Sequence, residues 1–253
     1  MDHAIIRYAE IALKGKNRIE FEKKLIANIE DCFRRHAVET HEITRFRGRI
    51  LTRPYIPALQ RVFGIASISP CTAVSQEMAA IESTSLKSVA GWSSSDSFRV
   101  SVQRTDKSFP LTSMELERKL GDIINHHTQA KVKLKGFTKE LGVELLEGQA
   151  FIFTERYPGH GGLPVGTQGV VWAFVHDRRS ALAALMIMKR GCQVHVVGDA
   201  SWIEAYAYGY RLQTAESLPD TASYVVHDSA AIPTVRAYPG RLELQPTIGM
   251  DEG

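Results

Sequence analysis

Residues Gly166–Cys192 read GTQGVVWAFVHDRRSALAALMIMKRGC. Val170–Val175 is an unbroken apolar run of strand length, the pattern of a buried strand. His176–Arg179 is a polar turn. Across Ser180–Arg190 the apolar residues recur at helical spacing, and Gly191 supplies the stop. Strand, sharp turn and helix in this order predict an α/β layer. Such turns commonly hold phosphate, because the first N–H groups of a helix lack partners and carry positive partial charge. This turn has no glycine. His176, Asp177, Arg178 and Arg179 fill it instead. The frame of a nucleotide site is predicted, with its contact loop replaced.

Upstream, His3–Tyr8 reads as a strand and Arg18–Arg35 as an amphipathic helix, with Phe21, Leu25, Ile29 and Phe33 on one stripe. Strands at Glu42–Phe46 and Arg49–Leu51 flank a tight turn at Arg47-Gly48, and Pro57–Val62 reads as a short helix. A second unit follows. Ser67–Ser75 is strand-like, Met78–Ala90 helical, Ser97–Val102 a strand and Ser113–His127 an amphipathic helix. Val132–Leu134, Glu140–Leu145 and Gln149–Thr154 close it as strands. Tyr157–Leu163, rich in Gly and Pro, reads as a linker or hinge. Beyond Cys192 the pattern predicts a strand at Val194–Val197, a helix at Trp202–Arg211, and short strands at Tyr224–Val226 and Thr234–Arg236.

The chain of 253 residues carries a net charge of +3, which conceals an asymmetry. Lys and Arg outnumber Asp and Glu by 12 to 8 over residues 1–53 and by 9 to 5 over residues 98–140, whereas residues 193–253 hold 3 against 8. A basic front and an acidic end suit a polyanion-binding front with a different task behind it, although solvated surface charge gives the same count. No apolar run spans a bilayer and the N-terminus lacks a signal-peptide pattern, so a cytoplasmic protein is expected. Cys32, Cys71 and Cys192 are far apart and form no CxxC, which argues against a disulfide framework and a cysteine zinc cluster.

Several colinear motifs resemble one family. Tyr8–Asn17 (YAEIALKGKN) with Phe21-Glu22 is similar to the N-terminal signature of tRNA 4-thiouridine synthetases, the tRNA sulfurtransferases. The family usually has Gly where Ala9 stands. Phe98–Gly121 resembles the RNA-binding THUMP domain. Arg156–Gln168 (RYPGHGGLPVGTQ) resembles the linker into an ATP-pyrophosphatase domain, and Met188–Cys192 and Pro246–Asp251 are similar to later segments of that domain. The resemblance implies an α/β protein in three parts: a ferredoxin-like unit at 1–60, a THUMP domain at 61–160 and a reduced Rossmann-like pyrophosphatase domain at 161–253. It implies tRNA as partner, with THUMP helping to grip the 3′ acceptor end. In the family, ATP activates a uridine carbonyl oxygen and a persulfide sulfur replaces it.

The departures fall in the catalytic part. The family loop is Ser-Gly-Gly-X-Asp-Ser, and its glycines let phosphates approach the backbone. His176–Ser180 (HDRRS) stands there, one residue shorter, with only Ser180 kept. Glu252 follows Asp251 where the family usually has Lys. The family's sulfur-carrying cysteine falls beyond Gly253 and has no counterpart in this sequence.

The candidate RNA-binding residues are Arg104, Lys107, Ser108, Arg118, Lys133 and Lys135, donors suited to phosphate contacts. Phe109 beside them stacks on a base or packs in the core. Lys14, Lys16, Arg45, Arg47 and Arg49 form a second basic set, with Lys14, Lys16 and Arg47 as auxiliary backbone contacts. Three readings of the degenerate nucleotide loop His176, Asp177, Arg178, Arg179 and Ser180 are open. It caps a helix without a ligand, or its arginines hold a phosphate through their own forks, or it sustains ATP chemistry. Cys192, next to Lys189 and Arg190, is the best placed thiol. No catalytic residue and no metal ligand set is read; His126 and His127 are adjacent on a helix and point apart. The expectation is a tRNA-binding protein without a cofactor, with ATP only under the alternative of an active sulfurtransferase using an external sulfur donor. A separate catalytic or sulfur-donor protein is a further expected partner, and the oligomeric state is left open.

Overall fold

The computed structural model describes residues 3–105, 108–220, 222, 224–226 and 242–244. They form two compact units, each assembled from non-contiguous stretches. One comprises 1–7, 41–56 and 67–157; the other comprises 8–40, 57–66 and 158–253. The units cut across the three consecutive segments expected from sequence. Helix α1 (Arg18–Arg35) is compact with the Rossmann-like segment, and the strands His3–Arg7, Glu42–Phe46 and Arg49–Arg53 with the THUMP-like strands.

The first unit is a mixed sheet. Its strands are β1 (His3–Arg7), β2 (Glu42–Phe46), β3 (Arg49–Arg53), β4 (Ser67–Ser75), β5 (Ser97–Arg104), β6 (Lys131–Val132), β7 (Lys139–Leu146) and β8 (Gln149–Phe153), in the order β2-β3-β1-β4-β8-β7-β5-β6 among the described residues. One long strand joins the halves: Ser67–Cys71 of β4 pairs with β1, and Thr72–Ser75 with β8. Side chains alternate across a strand. Phe98, Val100 and Val102 of β5 and Leu141, Val143 and Leu145 of β7 therefore share a face. They form a core with Ile81 of α2 (Met78–Ser88) and with Leu116, Leu120 and Ile124 of α3 (Ser113–Thr128).

The opposite face carries Arg99, Ser101 and Gln103 of β5 and Glu140, Gly142 and Glu144 of β7. Here the sheet curls. Flat strands four places apart would lie roughly 19 Å apart. Yet the Phe46 ring of β2 meets Phe151 of β8 at 5.8 Å, and Arg49 of β3 reaches Glu144 and Gln103, each at 2.6 Å.

The second unit holds a parallel sheet. A short strand β9 (Tyr157–Pro158) precedes it in the chain. Strands β10 (Val170–Val175), β11 (Gln193–Gly198), β12 (Thr214–Ala215), β13 (Tyr224–Val226) and β14 (Leu242–Leu244) run in the order β12-β11-β10-β13-β14. Helix α4 (Arg178–Lys189) crosses from β10 to β11 and buries Ala181, Ala184 and Met188 with Val171, Ala173, Val194 and Val196. Helix α1 belongs to this unit through two stripes. Leu25, Ile29 and Phe33 are the buried apolar residues expected, while Phe21 is half-buried. The second stripe, Lys24, Asn28, Asp31 and Arg35, is polar. Lys24 donates to Gly209 O (3.0 Å), Asn28 to Val165 O (3.0 Å) and Arg35 to Tyr210 O (2.9 Å), while Asp31 accepts from Gly209 N–H (2.7 Å).

Three expectations need correction. Trp202–Arg211 is helical only over Ser201–Glu204 (α5). Gly209 then adopts φ +83° to meet α1, and the Tyr210 hydroxyl bonds to Val194 O (2.8 Å), contacts that a helix could not make. Helix α4 starts at Arg178, two residues before the apolar pattern begins, because Asp177 caps it. Within Tyr157–Leu163, the part from Gly159 onward is no free hinge. Gly159 and Gly161 donate to Ala66 O and Ile65 O, Gly64 donates to Gly161 O, and Leu163 donates to Lys189 O, all within 2.8–3.0 Å. The strand expected at Thr234–Arg236 and the Pro246–Asp251 motif lie outside the described residues. Among the described residues no helix is long and apolar enough to cross a membrane.

Candidate nucleic-acid interface

The expected RNA-binding residues of the first unit fall at opposite ends of β5. Arg104 ends that strand, and Arg118 lies in the first half of α3, which returns antiparallel to it. Lys133 and Lys135 sit beyond the start of β5, where Lys133 N–H donates to Phe98 O (2.8 Å). Eight strand residues separate these ends by roughly 23 Å. They form two basic regions rather than one. Lys107 lies outside the described residues.

Arg104 is half-buried and works locally: its guanidinium donates to the carbonyls of Leu111 and Phe109. Phe109 is packed in the α3 core. The turn is therefore tied down from beneath, leaving Ser108 and Arg118 at the surface. Thr112 and Glu115 close it with a capping box. The Thr112 hydroxyl accepts from Glu115 N–H (3.3 Å), and the Glu115 carboxylate accepts from Thr112 N–H (2.7 Å). The Thr112 N–H and hydroxyl, both donating to the carboxylate, hold the Glu115 carboxyl below its ordinary range. Glu117 reaches back to accept from Val102 N–H (2.8 Å), closing a backbone donor on β5.

At the other end Lys131, Lys133 and Lys135 are all exposed, with Val132 and Leu134 exposed between them. Lys14, Lys16 and Arg47 were grouped by sequence, but Arg47 is in the first unit and the two lysines are in the second. Arg47 and Lys16 are exposed; Lys14 is half-buried, its ammonium 5.1 Å from the Phe21 ring centre. Beside it Arg18 donates to Glu22 (2.6 Å) and to the Tyr8 hydroxyl (2.8 Å), and Tyr8 donates to Glu22. Burial pushes the Tyr8 hydroxyl up to about 12.

Arg49, placed in the same basic set, is instead part of a buried ionic group that sequence reasoning missed. Glu144 is almost fully buried and accepts from Arg7 Nε and Arg49 Nε, each at 2.6 Å. Arg7 also donates to Ser69 Oγ (3.0 Å) and lies 4.8 Å over the Phe153 ring. Burial lowers the Arg7 pKa. The available signal was a lone carboxylate inside the apolar run Leu141–Leu146.

The turn after β10 is closed upon itself. The N–H groups of His176 and Asp177 donate to Ser180 Oγ (both 3.1 Å). Ser180 N–H donates to Asp177 Oδ1 at 2.8 Å, and its hydroxyl to the same oxygen at 2.6 Å. Those bonds hold the Asp177 carboxyl below its ordinary range. His176 and Arg178 are exposed and Arg179 is half-buried.

The three thiols are protected. Cys32 and Cys71 are buried, and burial pushes them up to about 11 and about 12; Cys192 is half-buried and is also raised. Among the described residues no group of three His, Cys, Asp or Glu is placed to hold a metal.

Comparison with known proteins bears on the whole chain. The ThiI ferredoxin-like domain matches residues 3–69, and the THUMP domain matches residues 76–155. A probable tRNA sulfurtransferase of Thermococcus kodakarensis is 37% identical over 202 residues, covering 75% of this chain and 53% of that protein. One from Natranaerobius thermophilus is 35% identical over 251 residues, covering 92% and 59%. The chain belongs to the tRNA sulfurtransferase family. It spans somewhat over half the length of these two relatives. Within the family's fold, PH1313 of Pyrococcus horikoshii is 31% identical, with a TM-score of 0.84 covering 100% of this chain and 96% of that one. A 4-thiouridine synthetase–RNA complex with bound ATP is 21% identical, with a TM-score of 0.76 covering 99% and 82%, and shows likeness of fold. The chain is thus a tRNA-modification family member with ferredoxin-like and THUMP parts and a Rossmann-like sheet.

Proposed function

We propose that this chain is a tRNA-binding protein that recognises the acceptor end and serves tRNA thiolation or a related modification without adenylating RNA itself. The THUMP match and the exposed basic residues at both ends of β5 support the binding half. Each lysine or arginine that neutralises a phosphate releases counterions, so such a surface binds RNA with a steep salt dependence.

The self-closed turn after β10 carries the non-catalytic half. A phosphate cradle needs backbone N–H groups that face outward and a backbone without Cβ atoms in the way. Here the N–H groups of His176, Asp177 and Ser180 are taken by Ser180 and Asp177, and side chains stand where the family has glycines. An aspartate at the helix start also opposes a second anion. The residues present do not fit an ATP phosphate cradle. The Rossmann-like layer then acts as a scaffold. The excess of 8 Asp and Glu over 3 Lys and Arg in residues 193–253 supports a protein partner, such as a catalytic or sulfur-donating subunit.

The test is filter binding of the purified chain to intact tRNA and to the same tRNA with its 3′ end removed. The proposal expects binding to the intact tRNA that weakens with salt and weakens further on trimming. Equal affinity for trimmed tRNA and unrelated RNA would overturn it.

A further inference from the structure

One triplet occurs twice in this chain. Leu13-Lys14-Gly15 spans the junction of two 3-10 turns (Glu10–Leu13 and Gly15–Asn17) of the second unit, and Leu134-Lys135-Gly136 follows edge strand β6 in the first. In each, the leucine is among the most exposed apolar residues of the molecule, at 85% for Leu13 and 77% for Leu134. The glycines both have left-handed φ, +53° and +63°, and a Cβ on either would meet nothing within 4 Å. Both tips are basic. Lys14 and Lys16 flank the first leucine in sequence, and Lys131, Lys133 and Lys135 the second, with no acidic residue in 13–18 or 131–136.

A leucine this exposed gains nothing from folding, so the fold does not explain it. Lysines on and just after β6 would by themselves be explained as protection of a sheet edge. That explanation fails twice. Val132, 51% exposed, adds to the apolar surface instead of masking it, and the Leu13 tip is on no strand at all. An exposed apolar side chain flanked in sequence by lysines, with open backbone beside it, matches the chemistry of an RNA strand, where apolar base and ribose faces alternate with phosphates.

We propose that the two Leu-Lys-Gly tips are RNA contact elements, each leucine packing on a base or ribose face while the neighbouring lysines hold the flanking phosphates. This rests on the tRNA-binding reading above and adds to it the leucines and the division of labour within each tip.

The experiment measures tRNA affinity of the full chain across a salt series for wild type, Leu13→Ser, Leu134→Ser, Lys14→Ala and Lys133→Ala. Surface substitutions of this kind leave stability nearly unchanged, which a urea titration checks. Each leucine variant is expected to bind about fivefold more weakly at every salt concentration, with the wild-type salt slope. Each lysine variant is expected to lower that slope by about 1. Leucine variants with wild-type affinity would overturn the inference while leaving the tRNA-binding reading intact, and would assign the exposed leucines to a protein surface. A wild-type chain that does not bind tRNA at low salt would overturn both.

Discussion

Two helix starts in this molecule are built alike, although sequence assigns them different tasks. Helix α3 begins at the Thr112–Glu115 capping box, below the turn that carries Ser108. Helix α4 begins at the Asp177–Ser180 capping box, at the strand end where the family places its phosphate loop. In both, a side chain on the N-cap residue accepts the N–H of the third helical residue. The first turn of α4 is thereby finished by its own residues, as that of α3 is. A loop shaped for a nucleotide leaves those groups for the ligand. The exposed leucines and their neighbouring lysines lie away from the β10–α4 turn, at Leu134 in the first unit and at Leu13 in the second.

The largest expected effect lies at the buried charges of the first unit. Glu144→Ala leaves Arg7 and Arg49 facing each other without a counter-ion, and should destabilise the first unit by about 3–5 kcal/mol in urea unfolding. Gly209→Ala strikes the second unit. A Cβ there would lie 1.7 Å from Asn28 Oδ1 on a backbone at φ +83°, and about 1–3 kcal/mol should be lost. Thr112→Ala and Asp177→Ala should each cost about 1 kcal/mol, since each removes the N-cap acceptor of its helix. A stabilising effect of Asp177→Ala, together with new phosphate binding, would show that the α4 turn is held away from a ligand-ready form.

The smallest effect is a pH dependence. His195 is buried against Trp172, and its Nδ1 accepts from Gln213 N–H (3.1 Å); burial holds its pKa below the ordinary value. A depressed histidine contributes stability above its unfolded pKa of about 6.5, and that contribution is lost as pH falls through the folded value. Stability of the second unit should therefore decline below pH ~6.5. His195→Gln should flatten part of that decline, the rest following His160, whose pKa burial also lowers.

Patterns governed by local physics were legible in the sequence. Arg18–Arg35, Ser67–Ser75 and Val170–Val175 end where expected, because their periodicity and their breakers agree. What was illegible depends on distant partners. Nothing local around Tyr210 indicates that its hydroxyl will find Val194, or that Gly209 will meet Asn28, so a helix was expected across both. The polar stripe Lys24, Asn28, Asp31 and Arg35 has helical spacing and was readable as a second buried face. Arg104 and Lys133 were grouped by charge, and only the direction of β5 separates them. The exposure of Leu13 and Leu134 is invisible in a sequence, where any leucine is first assigned to a core.

On the proposed function, the β10–α4 turn is a finished helix start within an RNA-binding protein. The measurement that tests it most directly is ATP turnover by the purified chain in the presence of tRNA, followed as AMP and pyrophosphate, with ATP binding measured alongside. The expected result is tRNA binding that ATP does not alter, and no AMP or pyrophosphate above background. Tight ATP binding that is lost in Arg178→Ala and Arg179→Ala, with tRNA-dependent pyrophosphate release, would contradict it.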